Sequence, residues 1–167
     1  GEVGLRMGSW GLVKPSFDVY GGLSSKVAVR VNGSFEQANS FRNGVSSERQ
    51  YVNPSILFKL SKKTDLLLEA DYLADRRTPD FGAGIINYQI VDIPRERFLG
   101  VAWSSVKSGQ TSLSSTLTHS FNEVWTLKWM NGIRQNSTNL FANSRPNTGA
   151  LITANGNWVR NLQKTEI

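Results

Sequence analysis

Apolar and polar side chains alternate one by one along most of this chain. Between Val27 and Glu36, the residues Val27, Val29, Val31, Gly33 and Phe35 share one face. Ala28, Arg30, Asn32, Ser34 and Glu36 share the other. A period of two is the mark of an extended strand with one apolar and one polar side. The pattern recurs. Val3, Leu5 and Met7 oppose Gly4, Arg6 and Gly8; Phe17 and Val19 oppose Asp18 and Tyr20; Ile56, Phe58 and Leu60 oppose Ser55, Leu57 and Lys59. Leu66, Leu68, Ala70 and Tyr72 oppose Leu67, Glu69, Asp71 and Leu73, and Leu113, Leu117 and Phe121 oppose Ser112, Ser114, Thr116, Thr118 and Ser120. Trp125, Leu127 and Trp129 oppose Thr126, Lys128 and Met130, and a last segment sets Ile152, Ala154 and Trp158 against Thr153, Asn155 and Asn157. The chain therefore reads as about eight strands, with no amphipathic helix of useful length.

The expected connections alternate in length. Short ones lie at Gly22-Leu23-Ser24-Ser25, Ser61-Lys62-Lys63-Thr64 and Asn122-Glu123, where they suit tight hairpins. Longer ones are expected around Gly11 to Pro15, Asn43 to Gln50, Thr78 to about Gly109, and Asn136 to Gly149. The third is long enough to be a functional loop rather than a connector.

Composition narrows the chemistry. The chain has 167 residues, the size of one domain. Cysteine is absent, which excludes disulfide scaffolds, thiolate metal sites and cysteine nucleophiles. The one histidine, His119, argues against histidine metal clusters. The net charge of +6 raises nucleic acid as a partner, but the cations are scattered, with only Lys62-Lys63 and Arg76-Arg77 adjacent. A nucleic-acid footprint needs a clustered stripe, so none is expected. No apolar run reaches the roughly 18 residues of a membrane helix, and no signal peptide is expected in this stretch.

Alternation fits either a soluble sandwich, with its apolar face in a core, or a membrane barrel, with that face on lipid. Three features favour the barrel. The polar face carries the charges Arg6, Asp18, Arg30, Glu36, Glu69 and Asp71. The connections are short on one side and long on the other. Phe121, Trp125 and Trp158 fall near the short-turn end, as an aromatic girdle would.

The stretch from Arg30 to Gly82 resembles the early barrel of TonB-dependent siderophore receptors of the outer membrane. The resemblance rests on Arg30 with Gly33, Ser40-Phe41-Arg42, Glu48-Arg49 with Tyr51, Asn53-Pro54-Ser55, Lys63-Thr64-Asp65 and Arg77-Thr78-Pro79-Asp80. Further on, Ile93-Pro94-Arg95 with Phe98-Leu99-Gly100 is similar to the family's third extracellular loop. Thr118-His119-Ser120-Phe121-Asn122 with Trp125-Thr126-Leu127 is similar to its next hairpin, and Gly8-Ser9-Trp10 with Asp18-Val19-Tyr20-Gly21 to its first. The resemblance implies an all-β, antiparallel up-and-down meander, with residues 1–167 forming part of a barrel of about 22 strands. The plug domain and the C-terminal barrel strands of such a receptor are expected to lie outside this chain.

The resemblance also implies a function: uptake of a ferric siderophore across the outer membrane of a Gram-negative bacterium. Energy would come from TonB-ExbB-ExbD through the N-terminal region that this chain does not include. The ferric siderophore is the transported ligand, lipid is the surrounding partner, and no covalently bound cofactor or enzymatic activity is expected. By the same resemblance, aromatic residues at the start of the long loop line the ligand site. Phe81 is the best positional match, with Tyr88 and Trp103 further along. Arg76 and Arg77 are placed to attract an anionic chelate.

Other motifs read more plainly. Glu69, Asp71 and Asp75 on one strand face are expected to be lumen charges balancing Arg6 and Arg30, not a catalytic acid pair. His119 has no G-x-S-x-G elbow to serve. Gly82-Ala83-Gly84 lacks the third glycine and the βαβ context of a dinucleotide site. Asn32-Gly33-Ser34 and Asn136-Ser137-Thr138 match a glycosylation pattern that an outer-membrane location makes incidental. Two alternatives stay open at this level. A self-contained small barrel requires closure between Glu2–Ser9 and the strand near Ile152–Leu162; a soluble β-sandwich binding module requires a second sheet over the apolar face.

Overall fold

A computed structural model describes residues 1–82, 85–86, 89–90, 92–143 and 162–166. The strands are β1 (Glu2–Gly8), β2 (Leu12–Gly22), β3 (Val27–Asn39), β4 (Ser46–Ser61), β5 (Thr64–Arg77), β6 (Ile85–Ile86), β7 (Gln89–Ile90), β8 (Ser105–Ser120), β9 (Thr126–Asn143) and β10 (Leu162–Glu166). Eight of them form one sheet in the order β1-β2-β3-β4-β5-β8-β9-β10, and β6-β7 is a separate ribbon within the long loop. Every pairing is antiparallel between strands that follow one another around the sheet. This is the expected meander.

The register sorts the side chains into two faces. The row Phe17–Gly33–Val52–Tyr72 lies on one face, as do Val19–Val31 and Val29–Ile56–Leu68. The row Asp18–Asn32–Asn53 lies on the other, with Glu36–Arg49–Asp75. Among the described residues no second layer covers the apolar face. Among the described residues only Val106 and Ala142 are buried hydrophobics, while Val3, Leu5, Met7, Val19, Leu113 and Ile133 are exposed. Along β2 the apolar Val13, Phe17 and Val19 are exposed and the polar Lys14, Ser16 and Asp18 are half-buried. That is the reverse of a water-soluble sheet, and it is what a lipid-facing wall requires. Among the described residues no second sheet packs on the apolar face, as the sandwich alternative required. No pairing joins β1 to β10 among the described residues, so the closure required by the small-barrel alternative is not seen; most of Ile152–Leu162 lies outside the described residues.

The strands run further than the alternation suggested. β4 and β8 have 16 residues each and β9 has 18, against the roughly 9–11 that cross a bilayer. The connections expected at Asn43–Gln50 and Thr78–Gly109 therefore shrink to residues 40–45 and 78–104. Asn136 to Asn143, expected in a loop, belongs to β9; residues 144–149 lie outside the described set. The first connection, expected around Gly11 to Pro15, is one tight turn at Ser9–Gly11, with Leu12–Pro15 already in β2. The reason is common to all of these. In these end segments polar residues occupy both faces, so the ladder continues while the alternation that marks it disappears.

Two prolines sit inside paired strands. Pro54 has no N–H, and the β4–β5 ladder is interrupted between Val52 and Ser55. The Asn53 Nδ2 donates to the Ala70 carbonyl at 2.8 Å in that gap, which keeps the acceptor satisfied. Pro15 likewise coincides with an interruption of the β2–β3 ladder between Val13 and Ser16.

Gly33 is a close-packed point of the sheet. A Cβ there would come within 2.8 Å of the Tyr51 carbonyl oxygen and 2.9 Å of the Phe17 ring. The ring of Phe17 covers the bare backbone in place of a side chain. Gly33→Ala is expected to destabilise the folded sheet by about 1–3 kcal/mol, since the backbone cannot give way as a flexible side chain would. A urea titration in detergent checks this, and an unchanged midpoint would show that the register shifts to make room.

Candidate functional site: the polar face and the loop end

Charged residues on the polar face are paired across strands. Arg30 meets Asp18 through two nitrogens at 2.9 and 2.5 Å, and Lys14 Nζ donates to Glu36 at 2.8 Å. Asp75, buried at 8% exposure, accepts from Arg49 at 3.1 Å and sits 3.6 Å from Arg77. Asp71 accepts from Gln110 Nε2 at 3.2 Å and from the Ser112 hydroxyl. This corrects the expected pairing. The acids on β5 do not balance Arg6 and Arg30. Register sets Arg49 beside Asp75, with Arg77 two residues along the same strand, and it sets Arg6 opposite Lys14, whose own partner is Glu36. Except for Arg77 and Asp75, which share β5, the ion-pair partners sit on neighbouring strands, and which residues become neighbours is decided only when the strands align.

His119 is held by Thr64 Oγ1, 2.8 Å from its Nδ1, and by the edge of the Phe121 ring at 4.6 Å between centroids. It is a strand-end residue with satisfied contacts. Among the described residues, no group of acids and histidine is placed to hold a metal ion.

The loop end is built around Phe41 and Arg42. Arg95 and Arg42 place their guanidinium carbons 4.8 and 5.5 Å from the Phe41 ring centroid, and Trp10 meets the same ring edge-on at 6.4 Å. Trp10 itself has a φ of 57°, the left-handed region that a bulky residue enters only when its surroundings hold it there. Arg42 ties the second loop to the third. Its Nε lies 3.0 Å from Asp80 Oδ2, and its Nη1 donates to the Arg97 carbonyl at 3.1 Å. The Asn43 N–H donates to the Glu96 carbonyl at 2.8 Å alongside.

Asp80 in turn shapes the start of the long loop. Its Oδ1 accepts from the Gly82 N–H at 2.9 Å, and Gly82 turns the chain at a φ of 75°. Phe81 therefore stands out at 46% exposure, on a small crevice shared with Pro79, Phe98 and Leu99. Arg76 and Arg77 point to opposite faces. Arg77 joins Asp75 on the polar face, and Arg76 stands on the other face between Glu48 and Lys107. Both border a groove with Ala102, Ser104 and Ser105, the segment that carries the exposed Trp103. Tyr88 lies outside the described residues.

Sequence reasoning did not select Trp10, Phe41, Arg42 or Arg95. Ser40-Phe41-Arg42 and Ile93-Pro94-Arg95 were legible as motifs, yet nothing in their spacing, some fifty residues apart, says that they meet.

No protein-family model matches the chain. Over 124 residues it is 31% identical to a metal-pseudopaline receptor of Pseudomonas aeruginosa, a match that covers 72% of this chain and 18% of the receptor. Its fold superposes on that of a ferric-catecholate import receptor of Escherichia coli K12 with a TM-score of 0.83 at 17% identity, covering 98% of this chain and 26% of the other. The outer-membrane ferripyoverdine receptor of Pseudomonas aeruginosa gives a TM-score of 0.78 at 21% identity, covering 85% and 20%. The chain thus spans about a fifth to a quarter of the proteins it matches. With one exposed apolar side, one ion-paired side and this superposition, the chain carries the barrel fold of the TonB-dependent siderophore receptors, the family its sequence resembles.

Proposed function

We propose that this chain forms part of the barrel wall and loop mouth of an outer-membrane receptor that takes up a ferric siderophore. The observation that carries the reading is the division of one open sheet into an exposed apolar face and a polar face stitched by ion pairs. Such a sheet is stable only with lipid on one side and water or protein on the other. Further barrel strands and a plug domain complete the receptor, and TonB-ExbB-ExbD energise transport through the plug. This extension is supported by the small share of the relatives that the chain spans.

Residues at the long-loop mouth recognise the chelate. Phe81 offers an aromatic face to an aryl or hydroxamate ligand, and Arg77 attracts negative charge. Arg76, Tyr88 and Trp103 complete the set assigned to this end. Structure favours Arg77 over Arg76 for the lumen side, because only Arg77 shares the face of the paired polar residues.

The test is a titration of the full-length protein with ferric siderophores of different classes, with Phe81→Ala and Arg77→Ala beside the wild type. Saturable binding of one class is expected, weakened about tenfold by Phe81→Ala, the scale of one lost ring contact. A folded receptor that binds no iron chelate would overturn the reading.

A further inference from the structure

We propose that the short-turn end of the sheet is a docking surface for the phosphate headgroups of anionic phospholipid. The inference rests on the membrane-spanning reading above and adds a chemical preference to it.

Three turns make this end: residues 23–26, 62–63 and 121–125. They carry Lys26, Lys62 and Lys63 against a single acid, Glu123. No ion pair among the described residues engages any of the three lysines. Lys63 Nζ donates to the Phe121 carbonyl at 3.2 Å, which brings its ammonium beside the aromatic turn. The same turns expose Leu23, Phe121, Val124 at 85% and Trp125 at 69%. Lysines with no acidic partner and large apolar side chains thus occupy one level, at the margin of the apolar face. Lysine stems follow apolar surface and lift the ammonium toward the headgroups, while tryptophan prefers the same interface.

Charge decides the class of lipid. On the polar face Lys14, Arg30, Arg49 and Arg77 each meet a carboxylate within the sheet. The three turns leave a cationic excess next to exposed apolar side chains. A zwitterionic headgroup gains little from such a surface, whereas an anionic one gains an attraction that salt weakens.

The test uses the full-length protein in vesicles of phosphatidylcholine alone or with one third phosphatidylglycerol. Either lipid is brominated in turn, and quenching of Trp125 is read as the difference between the wild type and Trp125→Phe. Brominated phosphatidylglycerol should quench several-fold more, per mole, than brominated phosphatidylcholine. High salt and the triple variant Lys26→Ser, Lys62→Ser, Lys63→Ser should each remove that preference. Equal quenching by the two lipids, or a preference unchanged in the triple variant and in high salt, overturns the proposal while leaving the barrel in place. Quenching by neither lipid would show that Trp125 meets no membrane and would overturn the membrane-spanning reading itself.

Discussion

Ile133→Arg should destabilise the membrane-inserted fold by about 2–4 kcal/mol, while Ser114→Lys should leave it nearly unchanged. Both positions lie mid-strand, in β9 and β8, and Ser114 pairs with Gly132, the immediate neighbour of Ile133. They differ in the face they occupy. Ile133 is 72% exposed and stands beside Leu113 on the apolar face, where a guanidinium would displace hydrocarbon contact. Ser114 lies on the polar face beside Glu69, where a lysine gains a carboxylate partner. The next residue, Arg134, already carries a guanidinium on that face, opposite Ser112. Urea titration of the protein folded into vesicles measures both variants. If the two cost the same, the apolar face does not meet lipid, and the assignment of inside and outside is wrong.

The second large effect is expected at Arg42. Its side chain is held between Asp80 and the Arg97 carbonyl and stacks on Phe41, with side-chain exposures of 17% for Arg42 and 22% for Asp80. Charge-assisted hydrogen bonds at this degree of shelter are worth about 1.5–3 kcal/mol. Arg42→Ala should therefore raise the open population of the long loop about tenfold or more. Limited proteolysis of the folded protein within residues 78–104 reads this directly, as a cleavage rate that rises by that factor while the melting transition of the sheet stays put. Arg42→Lys should recover little, because a single ammonium cannot serve the carboxylate, the carbonyl and the ring together. An unchanged cleavage rate would mean that the backbone bond from Asn43 to Glu96 is enough to hold the loop.

These two predictions mark where sequence reasoning succeeded and where it stopped. Strand identity and face assignment were legible wherever one side is apolar and the other polar. Val27 to Phe35 announce their face residue by residue, and the same holds for Ile56–Phe58 and Leu66–Leu68. The signal is local because the pleat sends each successive side chain to the opposite side. It faded in Ser46–Gln50, Ser105–Gly109 and Asn136–Asn143, which continue β4, β8 and β9 with polar residues on both faces. There the strands are held by pairing with neighbours, which composition does not record.

By itself, then, the sequence determined that the chain would form an antiparallel meander with one apolar and one charged side. It also placed the hairpins near Lys26, at Lys62-Lys63 and around Asn122. Only the tertiary structure decided which charges meet. Asp75 belongs to Arg49, Asp18 to Arg30, and Arg42 to Asp80, because strand register and loop packing bring together residues that lie from twelve to nearly forty positions apart. Alternation is a property of one strand and can be read from it. An ion pair is a property of two segments, and it exists only once their relative position is set.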